Sequence, residues 1–202
     1  MEIYLVRHGI AEEGHEKLRD GSRALTDKGR RRFQKTARAF GKLGRKLDLI
    51  LTSPLVRAVQ TAEILAGETR HGDVAVLEEL DPKFEAEAVR SALAKRSGAS
   101  GSVALVGHEP QLSSLLASFS GVSQADLDFK KGAIVRIDVE DVSDGKAVDA
   151  RWWLKPRKGR RMRGLPLQKD AAKTEPTRTG KKGKEAGGKR PRTASEDAAP
   201  AN

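Results

Sequence analysis

Two arginines and two histidines of this chain stand at, or shortly after, the ends of apolar runs. They are Arg7, His8, Arg57 and His108. A guanidinium is a planar fork that matches phosphate oxygens and stays charged at any working pH. A neutral imidazole can attack phosphorus and form a phosphohistidine, and a second, protonated imidazole can donate a hydrogen bond to the bound phosphate. These residue types predict a site for a phosphoryl group.

Hydrolysis at such a site also needs a proton for the leaving group. Glu79 is the best-placed acid because it follows the third predicted strand, while Glu78 and Asp81 are close alternatives. A phosphohistidine substrate has a good leaving group and needs little acid help.

Ser53 is either a phosphate ligand or the N-cap of the following helix. A metal site is disfavoured because two arginines repel a cation and no Cys or carboxylate cluster joins the histidines, so we expect no cofactor.

Strand-like and helix-like patterns alternate through the first 155 residues. Strands are predicted at 2–6, 48–52, 74–77, 103–106 and 135–139, with 148–154 as an antiparallel edge partner of the last. Helices are predicted at 26–43, with Thr26 as the N-cap, and at 54–66, 85–96 and 110–118. Strands separated by helices predict parallel pairing with right-handed crossovers. The expected fold is therefore α/β, a three-layer α/β/α sandwich with a mostly parallel central sheet.

This fold brings distant parts of the chain to one place. In open α/β sheets the ligand crevice lies beyond the carboxyl ends of the strands. Arg7-His8, Thr52-Ser53 and Gly107-His108 all stand at such ends, and the polar loop 9–24 should rim the same pocket.

Three motifs of the chain resemble those of the histidine phosphatase superfamily. They are Val6-Arg7-His8-Gly9, the segment TSPLVRAVQTA at 52–62, and Val106-Gly107-His108. They stand in the family's order, and the resemblance covers roughly residues 1–155. It implies a phosphoglycerate mutase-like fold in which His8 is the phosphorylated nucleophile and Arg7, Arg57 and His108 complete the phosphate pocket. Glu79 matches the Leu-x-Glu-Leu context in which many members carry the acid.

Within the superfamily the chain is most similar to the short bacterial phosphohistidine phosphatases of the SixA type. Only residues 81–102 separate the third strand region from the next strand, which leaves no room for a large cap insertion. The resemblance thus implies a metal-independent phosphatase that removes phosphate from a protein phosphohistidine, as in signal transduction. A small-molecule phosphomonoesterase is the alternative, and a mutase is disfavoured by the missing cap. A module that only binds phosphorylated partners or polyanions is a hypothesis of a different class.

Positive charge is concentrated at the C-terminal end. Residues 156–202 hold 14 Lys and Arg against 5 Asp and Glu, a net of +9 out of +11 for the chain, so residues 1–155 carry only +2. No large apolar residue follows Leu167. We therefore predict a phosphatase domain at 1–155 and a basic, disordered tail at 156–202. The basic runs 157–163 and 181–184 could contact a polyanion, although a solvated tail is the simpler interpretation.

The chain contains no cysteine, which excludes disulfides and thiolate chemistry. The N-terminal apolar run is too short for a signal peptide, and no stretch approaches the roughly 18 apolar residues of a membrane span. We expect a cytoplasmic protein without membrane contact, most simply a monomer.

Overall fold

A single seven-stranded sheet forms the centre of the molecule. The computed structural model describes residues 1–14, 19–69, 73–96, 101–142, 146–156 and 159–168, with the backbone alone for 146–149. The strands are β1 (Glu2–Arg7), β2 (Leu49–Thr52), β3 (Asp73–Val76), β4 (Ser102–Gly107), β5 (Ile134–Asp141), β6 (Lys146–Lys155) and β7 (Arg160–Arg163). Their order across the sheet is β3-β2-β4-β1-β5-β6-β7.

The sheet is mixed, with a parallel half and an antiparallel half. Strands β3, β2, β4 and β1 are parallel neighbours. Strands β5, β6 and β7 continue the sheet from β1 by antiparallel pairing. The parallel half sends the carboxyl ends of β1, β2 and β4 to the same edge, as the alternating pattern predicted. The predicted β5–β6 hairpin is confirmed, but β7 and not β6 forms that edge of the sheet.

Four helices cover the two faces of the sheet and confirm the three-layer sandwich. They are α1 (Asp27–Gly41), α2 (Val56–Thr69), α3 (Ala86–Arg96) and α4 (Gln111–Ser120). The hydroxyl of Thr26 accepts a hydrogen bond from the Gly29 amide at 3.0 Å, so the predicted N-cap of α1 is confirmed. Helix α2 begins at Val56, slightly later than the predicted start at Pro54.

Each face of the sheet has its own hydrophobic core. Phe33 and Phe40 of α1 pack with Leu65 of α2 against one face, where Tyr4 of β1 is fully buried. Helices α3 and α4 pack against the other face, around buried leucines such as Leu105 of β4. Apolar runs that are buried on both faces explain why the parallel strands could be recognised from the sequence.

The described fold continues past residue 155, where the sequence suggested a boundary. Strand β7 pairs with β6, and Leu165 and Leu167 pack on the core that α3 and α4 cover. Leu167 also forms an isolated antiparallel bridge with Leu127. Most of the expected tail, 169–202, lies outside the described residues, as do positions 157 and 158, so its disorder stays a prediction.

The segment between β3 and β4 holds one 3-10 turn, Glu78–Leu80, and helix α3 in the part of the chain that the structure describes. No cap domain is therefore seen over the carboxyl edge within these residues. Among the described helices, none is both long and apolar enough to cross a membrane.

Candidate active site

The carboxyl edge of the parallel strands gathers the residues that the sequence singled out. Arg7 ends β1 opposite Gly107, the last residue of β4, so His8 and His108 follow from adjacent strands. The Ser53 amide donates to the Val106 carbonyl at 3.0 Å and fixes the end of β2 beside β4.

The two histidines are neighbours inside the protein. Their ring centroids lie 4.9 Å apart with the planes tilted by 50°. His8 is 6% exposed and His108 only 3%. The His8 amide donates to the Gly107 carbonyl at 3.1 Å, so the backbone itself holds the two rings together.

A short hydrogen bond defines the tautomer of His8. Its Nδ1 lies 2.6 Å from the carbonyl oxygen of Gly9, so in the neutral ring Nδ1 carries the proton and donates. Nε2 then keeps its lone pair, which is what a nucleophile at phosphorus requires. Thr61 steadies this arrangement, since its hydroxyl accepts from the Gly9 amide at 3.1 Å and donates to the Arg57 carbonyl at 2.7 Å.

Burial favours the neutral form of both rings. For His8, burial and then the neighbouring His108 lower the pKa to about 3. For His108, burial and then the positive charge of Arg57 lower the pKa to about 3. A bound phosphate would bring negative charge beside His108 and favour its protonated form. At neutral pH His8 is thus an uncharged nucleophile, and a bound anion would help His108 to become a donor.

Ser53 contacts both the histidine pair and the start of α2. Its Oγ lies 2.9 Å from Nε2 of His108 and also accepts from the Leu55 amide at 3.3 Å. The role of this serine as a phosphate ligand stays a prediction. Its hydroxyl lies at the pocket, and it also orders the turn that leads into the helix carrying Arg57.

The two arginines expected at the site are largely buried and only partly engaged. Arg57 donates from Nη1 to the Asp20 carbonyl at 2.7 Å and from Nη2 to the Asp20 carboxylate at 3.0 Å. Arg7 donates from Nη1 to the Phe129 carbonyl at 2.6 Å. Within the described residues the buried Nε atoms of both arginines and Nδ1 of His108 have no hydrogen-bond partner. The two arginine Nε–H groups are unpaired donors, which suits a site whose ligand is an anion.

The loop before α1 contributes two further charged residues that sequence reasoning did not name. Arg23 forms an ion pair with Asp20 at 2.5 Å, and its positive charge is one of the causes that lower the pKa of His108. Burial acts to raise the pKa of Asp20, but hydrogen bonds from Arg57 and Arg23 outweigh it and lower the pKa. The prediction that loop 9–24 rims the pocket pointed to this loop, but it did not identify these two residues.

The acid candidate Glu79 lies in the 3-10 turn after β3. Its carbonyl accepts from Nε2 of Gln111 at 2.8 Å, which ties this turn to the start of α4, just after His108. Its carboxylate is half-buried and, among the described residues, forms no ion pair or hydrogen bond. Glu78 is exposed, and Asp81 forms an ion pair with Lys83.

Glu109 is a second carboxyl group near the pocket, and the sequence did not single it out as an acid. Burial raises its pKa, against the opposing effects of Ser113 and the charge of Arg7. Its carboxylate accepts from both the amide and the hydroxyl of Ser113, at 3.2 and 2.5 Å. These bonds bind it to the first turn of α4, as a capping group would be bound.

No group of three or more His, Cys, Asp or Glu in the described part of the chain is arranged to hold a metal ion. The donors gathered at the carboxyl edge are cationic or neutral, which suits an anion.

Known proteins are similar to this chain in sequence and in fold. An uncharacterized protein of Picosynechococcus sp. is 37% identical over 137 residues, covering 67% of this chain and 83% of the relative. The structure of the protein histidine phosphatase SixA complexed with tungstate superposes with a TM-score of 0.66 at 24% identity, covering 79% of this chain and 97% of that chain. A candidate phosphohistidine phosphatase SixA from Agrobacterium tumefaciens gives a TM-score of 0.62 at 26% identity, covering 68% and 91%.

A mycobacterial glucosyl-3-phosphoglycerate phosphatase has the same fold, with a TM-score of 0.59 at 17% identity over 73% of this chain and 95% of that chain. The family model described as histidine phosphatase superfamily (branch 1) matches residues 3–82, which include Arg7, His8, Ser53, Arg57 and Glu79. With its motifs, its sheet and its paired histidines, the chain belongs to the histidine phosphatase superfamily.

Proposed function

We propose that the protein is a phosphatase that works through a phosphohistidine formed on His8. The observation that carries the proposal is the hydrogen bond from His8 Nδ1 to the Gly9 carbonyl, because it directs the lone pair to Nε2 beside His108. Family membership and the phosphatases among the structural neighbours support a phosphatase.

The reaction has two displacements at phosphorus. Nε2 of His8 forms a bond to phosphorus while the bond to the leaving atom breaks, and the leaving atom takes a proton from Glu79. Arg7, Arg57, His108 and the hydroxyl of Ser53 bind the phosphoryl oxygens, where negative charge must be stabilised. Water then attacks phosphorus and returns a proton to the Glu79 carboxylate. The bond from phosphorus to nitrogen breaks, and orthophosphate and neutral His8 are released.

The substrate class that we propose is a phosphohistidine on a protein. The described residues supply no cap over the carboxyl edge, which would admit a phosphorylated side chain presented by another macromolecule. Two of the structural neighbours are named for phosphohistidine phosphatase activity. A small-molecule phosphomonoesterase is the second candidate, favoured by the neighbour that acts on glucosyl-3-phosphoglycerate. A cytoplasmic, monomeric enzyme fits either substrate.

The test is hydrolysis of p-nitrophenyl phosphate in the presence of EDTA by purified variants. We expect turnover to persist in the wild type and to fall to background in His8→Ala, while Arg57→Ala raises KM and lowers kcat. Arg38→Ala is the matched control, since Arg38 pairs with Glu68 on the surface and should leave turnover unchanged. Quenching the wild type with alkaline detergent should trap a protein-bound phosphate that is stable to base and is released by acid. Turnover by a folded His8→Ala variant would refute the mechanism.

A further inference from the structure

A groove on the antiparallel half of the sheet concentrates positive charge away from the histidines. It encloses about 460 Å³. Five arginines line it: Arg45, Arg136, Arg151, Arg161 and Arg163. Asp138 is the one carboxylate in its lining among the described residues.

Strand register explains how residues distant in sequence share this groove. Arg136 of β5 lies opposite Trp152 of β6, which lies opposite Arg163 of β7. Arg161 stands two positions before Arg163, so strand alternation places it on the same face. This is the face that α1 covers, because Trp152 belongs to the core packed under that helix.

The buried ring of Trp152 at the base of the groove is held in place by packing. Trp152 is only 7% exposed, and its ring packs against Tyr4 and Phe40, with ring centroids 6.1 and 6.3 Å away. Helix α1 ends at Gly41, so the sheet beyond it stays open and Arg45 reaches the groove from the following loop.

Three arginines of the groove form ion pairs with carboxylates, and two do not within the described residues. Asp138 binds Arg136 at 2.9 Å and Arg151 at 2.7 Å. Glu2 binds Arg136 at 2.7 Å and Arg45 at 3.4 Å.

Arg161 and Arg163 are exposed and have no carboxylate within ion-pair distance among the residues that the structure describes. The paired arginines are thereby fixed in position, while the charge of these two is left uncompensated.

From this arrangement we propose a second anion site, specific for an oligophosphate group. Several guanidinium forks around one small groove match a ligand with several adjacent phosphates. The volume lies within the range of small-molecule sites. The buried ring of Trp152 leaves no aromatic face for base stacking, which argues against single-stranded nucleic acid. The ligand is therefore free inorganic oligophosphate or the phosphate chain of a nucleotide.

This site is distinct from the phosphate pocket. Arg136 pairs with Tyr4, four residues before His8, which corresponds to about 13 Å along the strand. Arg163 lies a further two strands away across the sheet.

The experiment is calorimetric titration of the full-length protein with inorganic tripolyphosphate, with ATP, and with a single-stranded oligonucleotide. We expect tripolyphosphate to bind and the double variant R161Q/R163Q to weaken its binding about tenfold or more, because each lost fork removes charge-assisted hydrogen bonds. The matched control is K155Q/R160Q. Lys155 and Arg160 pair on the same two strands but point to the opposite face, so the same charge is removed and binding should change less than about threefold.

A third variant separates the groove from the catalytic pocket. Arg57→Ala should lower turnover, as expected above, yet leave tripolyphosphate binding unchanged. If Arg57→Ala removes binding and R161Q/R163Q does not, the anion lies in the catalytic pocket and the proposal is wrong. Equal losses in the two double variants would show unspecific attraction and would also overturn it, as would binding of the oligonucleotide alone. Binding of ATP as well as tripolyphosphate assigns the site to a shared phosphate chain, whereas tripolyphosphate alone assigns it to the inorganic ligand.

Discussion

The carbonyl of Gly9 decides which nitrogen of His8 can react. The carbonyl accepts a hydrogen bond from Nδ1–H, so Nε2 of the neutral ring carries no proton. A proton on Nε2 as well would make the ring cationic, and burial opposes that charge. The hydroxyl of Thr61 bonds to the amide of the same glycine. A residue on α2 thus positions a group on the loop after β1, and the nucleophile depends on two elements at once.

Substrates with different leaving groups can show whether Glu79 or Glu109 is the general acid. Glu79 has no partner for its carboxylate among the described residues, whereas the Glu109 carboxylate is bound to Ser113. We therefore expect Glu79→Gln to lower kcat/KM for glycerol phosphate by about 10²-fold, the low end for loss of general acid catalysis. For p-nitrophenyl phosphate, whose leaving group needs little protonation, the loss should be below about threefold.

Glu109→Gln is the matched control for that measurement. We expect this substitution to change kcat/KM by the same factor for both substrates, because the Glu109 carboxylate is bound to Ser113 and orders the start of α4. A selective loss on glycerol phosphate in Glu109→Gln, with none in Glu79→Gln, would transfer the acid role to Glu109.

Residues near a strand end were the ones that the sequence could predict. Arg7, His8 and His108 follow continuous apolar runs, so the edge that they share follows from topology alone. Asp20 and Arg23 could not be placed in this way, because their contacts to Arg57 and to each other depend on the path of a polar loop. Polar loops carry no periodicity from which such a path could be deduced.

At the scale of elements, β7 is a strand that the alternation of apolar and polar residues could not predict. Its sequence, Arg160–Arg163, is basic apart from one methionine, so it gives no apolar alternation. It forms a strand because the edge of β6 offers unpaired backbone groups, and a charged edge strand also discourages pairing with other chains. Composition alone assigned these arginines to a tail.

Two truncations test where the folded domain ends. Removal of 169–202 should leave the free energy of unfolding unchanged within about 0.5 kcal/mol, as for surface changes away from the core. Removal of 156–202 also deletes β7 and the packing of Leu165 and Leu167 on the core. Leu165 and Leu167 are partly buried, so each contributes less than the roughly 1.5–3 kcal/mol of a fully buried leucine. With the loss of the β6–β7 pairing, we expect the free energy of unfolding to fall by about 1–3 kcal/mol.

The two truncations are compared by urea unfolding, followed by tryptophan fluorescence and by circular dichroism. If both unfold like the full-length protein, β7 and the residues after it contribute nothing to stability, and the boundary lies at 155 as the composition suggested.

At the scale of the whole molecule, the parallel and antiparallel halves of the sheet present different surfaces. The parallel half ends in the histidine pocket, and the antiparallel half carries the arginine groove. Because residues 1–155 have a net charge of only +2, this groove depends on local placement and on β7 more than on overall charge.

The open carboxyl edge leads to a prediction about substrate size. A phosphatase encloses a small metabolite to gain binding energy from the parts that do not react, and that energy raises kcat/KM. Between β3 and β4 the described chain supplies only a 3-10 turn and α3 for such contacts. A protein phosphohistidine brings its own surface and a good leaving group.

We therefore expect kcat/KM to be highest for a phosphohistidine protein, and lower by about 10²-fold or more for a phosphoserine peptide and for sugar phosphates. The measurement is competition among the three substrates at equal concentration, with orthophosphate release assigned to each by mass spectrometry. Free phosphohistidine is the control, because it has the same leaving group without the protein surface. If it matches the phosphohistidine protein, selectivity comes from the leaving group and not from the open edge. A preference for a sugar phosphate would instead show that the pocket gains enough binding energy from a small ligand without a cap, and would favour the small-molecule phosphomonoesterase.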